Sequence, residues 1–77
     1  MKELSYNERA ELNKAALFNR AYALAELKGC KAEDCKLFAD YVVEYNGSRL
    51  HGYAPGSAVE PDRLYDHFYD QVLRFAD

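Results

Sequence analysis

The sequence predicts a small all-α domain built from three helices, and three patterns support that prediction. A helix-start signal at Ser5 is followed by a long run without helix breakers that ends at Gly29. Apolar residues then recur at helical spacing from Cys35 onwards, and a third helical pattern begins after Pro61. With 77 residues the chain has room for one domain, predicted to span 1–77.

The first helix is predicted to begin after Ser5 and to run to about Lys28. Ser5 and Glu8 have the spacing of a capping box, in which the serine side chain caps an amide and the glutamate reaches back. Gly29 suits the position after the last turn, because glycine adopts a left-handed conformation without strain. At about 1.5 Å per residue this helix is roughly 34 Å long, which is long for so small a chain.

Helix 1 carries apolar residues on two sides. One face holds most of its large apolar residues. A second stripe lies on the other side, with spacings of 4, 7 and 4 residues: Leu12, Ala16, Ala23 and Leu27. An intramolecular core needs only one such stripe. The second stripe fits either a central helix flanked by both others or the seam of a homodimer, where alanines permit close approach. We predict a homodimer through these four residues.

Helix 2 is predicted over roughly residues 32–45. Its apolar face follows the i, i+3, i+4, i+7 pattern and consists of Cys35, Phe38, Ala39, Val42 and Tyr45. Carboxylates at Glu33 and Asp34 complement the positive end of the helix dipole. Asn46 and Gly47 would close the helix with a left-handed cap. Exposed carboxylates are also expected on its polar side, at Asp40 and Glu44, with Leu37 nearby.

Residues 41–53 have an alternative. The sequence YVVEYNGSRLHGY also fits a β-hairpin with a two-residue Asn-Gly turn, which would make the protein α+β. The helical prediction leaves a loop of about thirteen residues before helix 3, and loops of that length count against an assignment. The hairpin, however, would leave Cys35 and Phe38 on a helix of two turns. The continuous apolar arc therefore favours the all-α prediction with a long loop before helix 3.

Helix 3 is predicted from Asp62 to about Ala76, with Pro61 in its first turn. Its apolar arc consists of Leu64, Tyr65, Phe68, Val72, Phe75 and Ala76. Its polar side stacks carboxylates one turn apart at Asp62, Asp66 and Asp70, with Tyr69 at the edge and Leu73 pointing out among them. Like charges at this spacing cost a helix about 0.2–0.5 kcal/mol per pair. The row is therefore slightly unfavourable for the helix itself.

This carboxylate row is either an ordinary solvated face or a docking surface. In the second interpretation a basic partner neutralises the row, and two apolar side chains anchor the contact. Complementary charge of this kind steers encounter and sets specificity. The predicted partner-binding residues are Asp62, Asp66, Asp70, Tyr69 and Leu73. The predicted partner is a larger protein with a basic surface.

No motif in the sequence carries catalytic or metal chemistry. Cys30 and Cys35 are five positions apart, and their spacings to His51 and His67 match no zinc pattern. Carboxylates along one straight helix fan outward, whereas Mg²⁺ and Ca²⁺ require oxygens that converge. P-loop, Rossmann, nucleophile-elbow and HExxH motifs are also missing. We therefore predict no enzyme, no cofactor and no metal. Cys35 is expected to pack as a small apolar residue, and Cys30 to be the more exposed thiol.

Charge and hydropathy further narrow the classes of protein to which this chain could belong. The net charge of −3 and pI near 5.3 lack the basic footprint of a nucleic-acid binder. Helix 3 would be the reading helix, yet it carries aspartates where phosphate contacts need Lys or Arg. The sequence shows no secretory signal and no apolar run of about 20 residues, so no membrane contact is expected. We predict a cytoplasmic protein with reduced cysteines.

The predicted function is that of a non-enzymatic interaction module. It would dock acidic helix surfaces onto a basic site of a larger protein, as a regulator or inhibitor. One variant is an accessory protein of a mobile element that blocks a nucleic-acid-binding machine, because carboxylate rows can occupy sites built for phosphates. The alternative is a small DNA-associated helical regulator.

Overall fold

The structure, a computed structural model, describes residues 5–47, 50 and 58–73. It shows three helices, α1 (Tyr6–Leu27), α2 (Ala32–Asn46) and α3 (Pro61–Phe68), and α3 continues into a π-helical turn over Tyr69–Leu73. No strand occurs in these ranges, so the all-α prediction is confirmed.

The hairpin alternative is wrong for the described part of residues 41–53. Helix α2 runs without a break through residues 41–46, because its apolar arc from Cys35 stays in contact with the core. The remainder of that segment lies outside the described residues except for Leu50, which is buried. Most of the predicted long loop lies outside them as well.

The start of α1 shows the serine half of the predicted capping box, and its end shows the predicted glycine cap. The Ser5 side chain accepts a hydrogen bond from the Glu8 amide at 3.2 Å. Gly29 has φ 91°, and the Cys30 amide donates to the Ala25 carbonyl at 3.0 Å. These features form a Schellman motif, which satisfies carbonyls that the helix end would leave unpaired. The motif turns the chain back so that α2 packs along α1.

Helix α2 buries four of its five predicted core residues: Cys35, Phe38, Ala39 and Val42. The fifth prediction is wrong, because Tyr45 is 53% exposed and its neighbour Asn46 is buried instead. Gly47 has φ 19° and ψ −105°, so the predicted left-handed cap does not form. The Gly47 amide donates to the carbonyls of Val43 and Glu44, and the Asn46 side chain donates to the Val42 carbonyl.

Asn46 joins the end of α2 to the segment that leads into α3. Its Nδ2 atom donates to the carbonyls of Val42 at 2.9 Å and Val59 at 3.1 Å. Its Oδ1 atom accepts from the Val59 amide at 2.6 Å. A buried amide side chain is tolerated when its donors and acceptor are paired in this way. The start of α3 is therefore held against the end of α2.

Helix α3 starts at Pro61 and buries Pro61, Leu64, Tyr65 and Phe68. The residue before it, Glu60, makes no side-chain cap but forms an ion pair with Arg20 of α1. The predicted end near Ala76, and with it the predicted core residues Phe75 and Ala76, lies outside the described residues.

The core is centred on Phe38. Its ring meets Tyr65 edge to face with centroids 5.3 Å apart, and Phe68 at 5.2 Å. From α1 the core takes Leu17, Ala21 and Ala25, and the two small alanines let α2 approach closely. Among the helices of the described ranges, none combines the length and hydropathy needed to span a bilayer.

Candidate docking surface

The polar side of α3 faces away from the core. Asp62, Asp66 and Asp70 are all exposed. Tyr69 is 49% exposed, and its ring lies 6.2 Å from that of Tyr65. Within the described ranges, no basic side chain lies at ion-pairing distance from Asp62 or Asp66. The structure therefore brings the predicted carboxylates and Tyr69 together on one accessible face. We call Asp62, Asp66 and Asp70 the acidic row.

The prediction that Leu73 points out among the aspartates is wrong. Leu73 is half-buried and packs against the core. The π-helical turn over Tyr69–Leu73 explains the difference. Its i→i+5 bonds place more residues in each turn than an α-helix has, so each residue advances by a smaller angle about the axis. Leu73 is thereby rotated towards the apolar side, and Tyr69 is the exposed apolar neighbour of the acidic row.

A second exposed surface lies where α2 meets α3. Leu37 is 52% exposed and Tyr45 is 53% exposed, and the half-buried Tyr41 lies between them on α2. The Tyr41 ring is 6.1 Å from Tyr45 and stacks on His67 of α3 at 6.4 Å. We call Leu37, Tyr41, Tyr45 and His67 the aromatic strip.

The sequence did not predict this strip, because helical spacing placed Tyr45 on the core face of α2. The spacing of Leu37, Tyr41 and Tyr45, one turn apart on α2, is the signal that could have revealed it. His67 is exposed, but its ring rests on the Tyr41 ring.

The thiols of Cys30 and Cys35 and the Tyr65 hydroxyl lie close together, at the turn between α1 and α2. Cys30 Sγ lies 3.3 Å from the Tyr65 hydroxyl, and Cys35 Sγ donates to the Cys30 carbonyl at 3.6 Å. Both cysteines are free, Cys35 buried as predicted and Cys30 half-buried. Burial raises the pKa of the Cys35 thiol. Burial and the hydrogen bond to Cys30 raise the pKa of Tyr65 to about 12. Because a thiol is nucleophilic only as thiolate, Cys35 is poorly suited to nucleophilic chemistry.

An open cleft of about 680 Å³ runs between α1 and α2. Its floor includes the apolar Val43 and Leu50. Its rim carries three carboxylates and one ammonium group, at Glu11, Asp40, Glu44 and Lys14. The acidic character of the outer face of α2 therefore extends towards α1. In the described ranges, no three acidic, cysteine or histidine side chains lie close enough together to hold a metal ion.

The second stripe of α1 is fully accessible in the described structure. Leu12 is 57% exposed and Leu27 is 85% exposed, and Ala16 and Ala23 are exposed between them. Both α2 and α3 pack on the other side of α1, around Leu17 and its neighbours in the core. The explanation of a central helix flanked on two sides is therefore wrong for the described residues.

Comparison with known proteins adds no family. The chain matches no protein-family model, no curated protein and no solved structure. The class that the fold and the surface define is a small three-helix protein with accessible acidic and aromatic faces. Its function has to be argued from this geometry alone.

Proposed function

We propose that the protein is a non-enzymatic interaction module that docks its acidic helix surfaces onto a basic site of a larger protein and regulates or inhibits it. The acidic row of α3 makes the main contact, and the outer face of α2 adds to it. The observation that supports this proposal best is the exposure of Asp62 and Asp66 beside the half-exposed Tyr69.

The energetics of the acidic row favour a partner. A helix loses stability when carboxylates lie one turn apart, and the described structure offers Asp62 and Asp66 no basic side chain in return. A basic surface would supply the missing charge. Interface charges mainly speed association and set specificity. Affinity would come from Tyr69, since exposed tyrosines often become buried anchors at the centre of interfaces.

Inhibition is the regulatory outcome that this chemistry suits best. A row of carboxylates along a rigid helix presents negative charge at regular intervals, as a phosphate backbone does. It can therefore occupy a site built for nucleic acid without being nucleic acid. An accessory protein of a mobile element that blocks a nucleic-acid-binding machine is the variant of this proposal that small size and net charge of −3 support.

We also propose that the α1 stripe joins two copies of the chain. Its spacings of 4, 7 and 4 residues are the same in both directions. A twofold axis across the helix would therefore place leucine against leucine and alanine against alanine, which is the self-complementary pattern of an isologous interface. Leu27, with 85% of its surface exposed, would lose the most water contact.

The acidic row is tested with a charge-reversed double variant, Asp62→Lys with Asp66→Lys. The tagged protein is used to capture partners from a lysate, and its affinity for the captured basic protein is then measured. We expect the variant to bind at least about tenfold more weakly, which corresponds to ~1.4 kcal/mol. Wild-type binding should also weaken as salt is raised.

The matched control is Glu11→Lys with Glu26→Lys, which changes the net charge equally on exposed positions of α1. It should bind within about twofold of the wild type. Equal loss in both double variants would show that only net charge matters, and the acidic row would not be the docking surface. Binding of duplex DNA at ~100 mM salt would instead favour the DNA-associated regulator.

A further inference from the structure

The aromatic strip is a preformed surface rather than a set of separate side chains. Leu37, Tyr41 and Tyr45 follow one another at single-turn intervals along α2. Tyr41 is held from beneath by Phe68, with ring centroids 5.3 Å apart, and from the side by His67. Because packing fixes the Tyr41 ring, on which Tyr45 and His67 rest, less side-chain entropy is lost when a ligand binds to this surface.

Carboxylates border the strip on both helices. On α2, Asp40 and Glu44 are exposed and each follows a strip residue by three positions. On α3, the exposed Asp66 immediately precedes His67. The basic residue nearest the strip on α3 is Arg63, one turn before His67. On α2, the exposed Lys36 immediately precedes Leu37. Three carboxylates against two basic side chains leave this surface with a small negative excess.

An arginine side chain fits this combination better than a lysine does. A planar guanidinium stacks on an aromatic face and can also pair with a carboxylate through two parallel hydrogen bonds. An ammonium is more strongly hydrated and presents no plane to a ring. Exposed Leu37 at one end of the strip adds a contact for an apolar neighbour of that arginine.

We propose that the aromatic strip binds an arginine side chain of the partner, stacked on Tyr45 and paired with Glu44 or Asp66, with an apolar partner residue against Leu37. This inference rests on the proposed function, because it names the chemistry by which the basic partner is recognised. It makes the outer junction of α2 and α3 the part of the protein that distinguishes arginine-rich from lysine-rich surfaces.

Two synthetic peptides of equal length and charge test the inference. One carries arginines spaced among leucines, and the other has lysine at every arginine position. Titration of isotope-labelled full-length protein, followed by NMR, should show the arginine peptide binding at least about threefold more tightly. The largest shift changes should fall on Tyr45, His67 and their neighbours.

Two variants of Tyr45 separate stacking from simple burial. Tyr45→Leu keeps an apolar side chain but removes the ring, and we expect the arginine preference to vanish. Tyr45→Phe keeps the ring and should retain the preference. Since Tyr45 is exposed, neither change is expected to unfold the protein, which the NMR spectrum itself would verify.

The possible outcomes distinguish this inference from the proposed function. Equal affinity for both peptides, unaffected by Tyr45→Leu but reduced by the Asp62→Lys and Asp66→Lys pair, would overturn the arginine site and leave the docking function intact. Failure of both peptides to bind, together with a captured partner insensitive to the acidic row, would overturn both. An arginine preference that survives in Tyr45→Leu would also refute the site.

Discussion

Tyr65 shows how one residue combines core packing with a polar contact. Its ring packs against Phe38, and Lys28 Nζ lies 5.2 Å from the ring centroid. Its hydroxyl meets Cys30 Sγ at 3.3 Å. A buried tyrosine usually finds a partner for its hydroxyl, and here that partner lies in the turn between α1 and α2. One side chain thus connects α3 to both other helices.

Tyr65 makes the stability of the fold depend on pH in the alkaline range. Its pKa is about 12 in the folded protein, against an ordinary value of 10.0, so the folded state keeps a proton that the unfolded state releases between those values. The contribution of Tyr65 to stability is therefore complete below pH 10 and is lost as the pH approaches 12. The raised pKa of Cys35 adds a decline of the same sign above its ordinary value of 9.0. Urea denaturation at increasing pH should show this decline.

Replacement of Tyr65 by phenylalanine isolates the contribution of the Tyr65 hydroxyl to this decline in stability. Tyr65→Phe should be less stable at neutral pH, by about 1 kcal/mol for the lost hydrogen bond. Its stability should nevertheless fall less steeply than that of the wild type above pH 10, the ordinary value for tyrosine. Tyr45→Phe, at an exposed position, serves as the control. Parallel curves for wild type and Tyr65→Phe would contradict the proposed origin of the decline.

At the scale of helices, the contact between α2 and the start of α3 depends on a polar clamp. Asn46 makes three hydrogen bonds, two of them to the backbone of Val59. An apolar side chain at this position would leave the amide and the carbonyl of Val59 without those bonds. Buried polar groups that lose their partners carry a large penalty. The clamp therefore holds Pro61, and with it the acidic row, in a fixed position relative to α2.

Removal of the clamp should be costly. Asn46→Ala should lower the free energy of unfolding by about 2–3 kcal/mol, because it leaves the partly buried amide and carbonyl of Val59 without these partners. Asn19→Ala, at an exposed position of α1, is the matched control and should stay within about 0.5 kcal/mol. Chemical denaturation of both variants measures the difference. A loss at Asn46 no larger than that at Asn19 would show that the clamp is not stabilising.

At the scale of the whole molecule, α2 and α3 occupy the same side of α1. Their packing leaves the stripe of Leu12, Ala16, Ala23 and Leu27 on the outside. A chain of this size buries only about 60% of its unfolded surface, and association is a common way to add to a thin core. The stripe is where this protein could gain such burial.

The dimer is tested by placing charges within the stripe. Ala16→Glu with Ala23→Glu should yield single chains, because the carboxylates would be buried unpaired at the seam. Sedimentation should give twice the 8.8 kDa of one chain for the wild type and 8.8 kDa for the variant. Ala32→Glu, at an exposed site in α2, should leave the wild-type mass unchanged. A wild type that already sediments at 8.8 kDa would disprove the dimer.

The sequence by itself determined the three helices, the start and end of α1 and the start of α3. Ser5, Gly29 and Pro61 act through local backbone geometry, which depends only on neighbouring residues. The core face of α2 was likewise predictable from Cys35 through Val42, because helical periodicity places these side chains on one side whatever the surroundings. The exposure of Asp62, Asp66 and Tyr69 on α3 followed from the same periodicity.

Only the tertiary structure decided which side chains near the helix ends are buried. At the end of α2, hydrogen bonds to Val59 favour Asn46 inside and leave Tyr45 outside, although hydrophobicity alone ranks them the other way. After Phe68 a π-helical turn changes the rotation per residue and carries Leu73 to the core. Both outcomes depend on groups distant in sequence or on a departure from regular winding, and no local pattern records either.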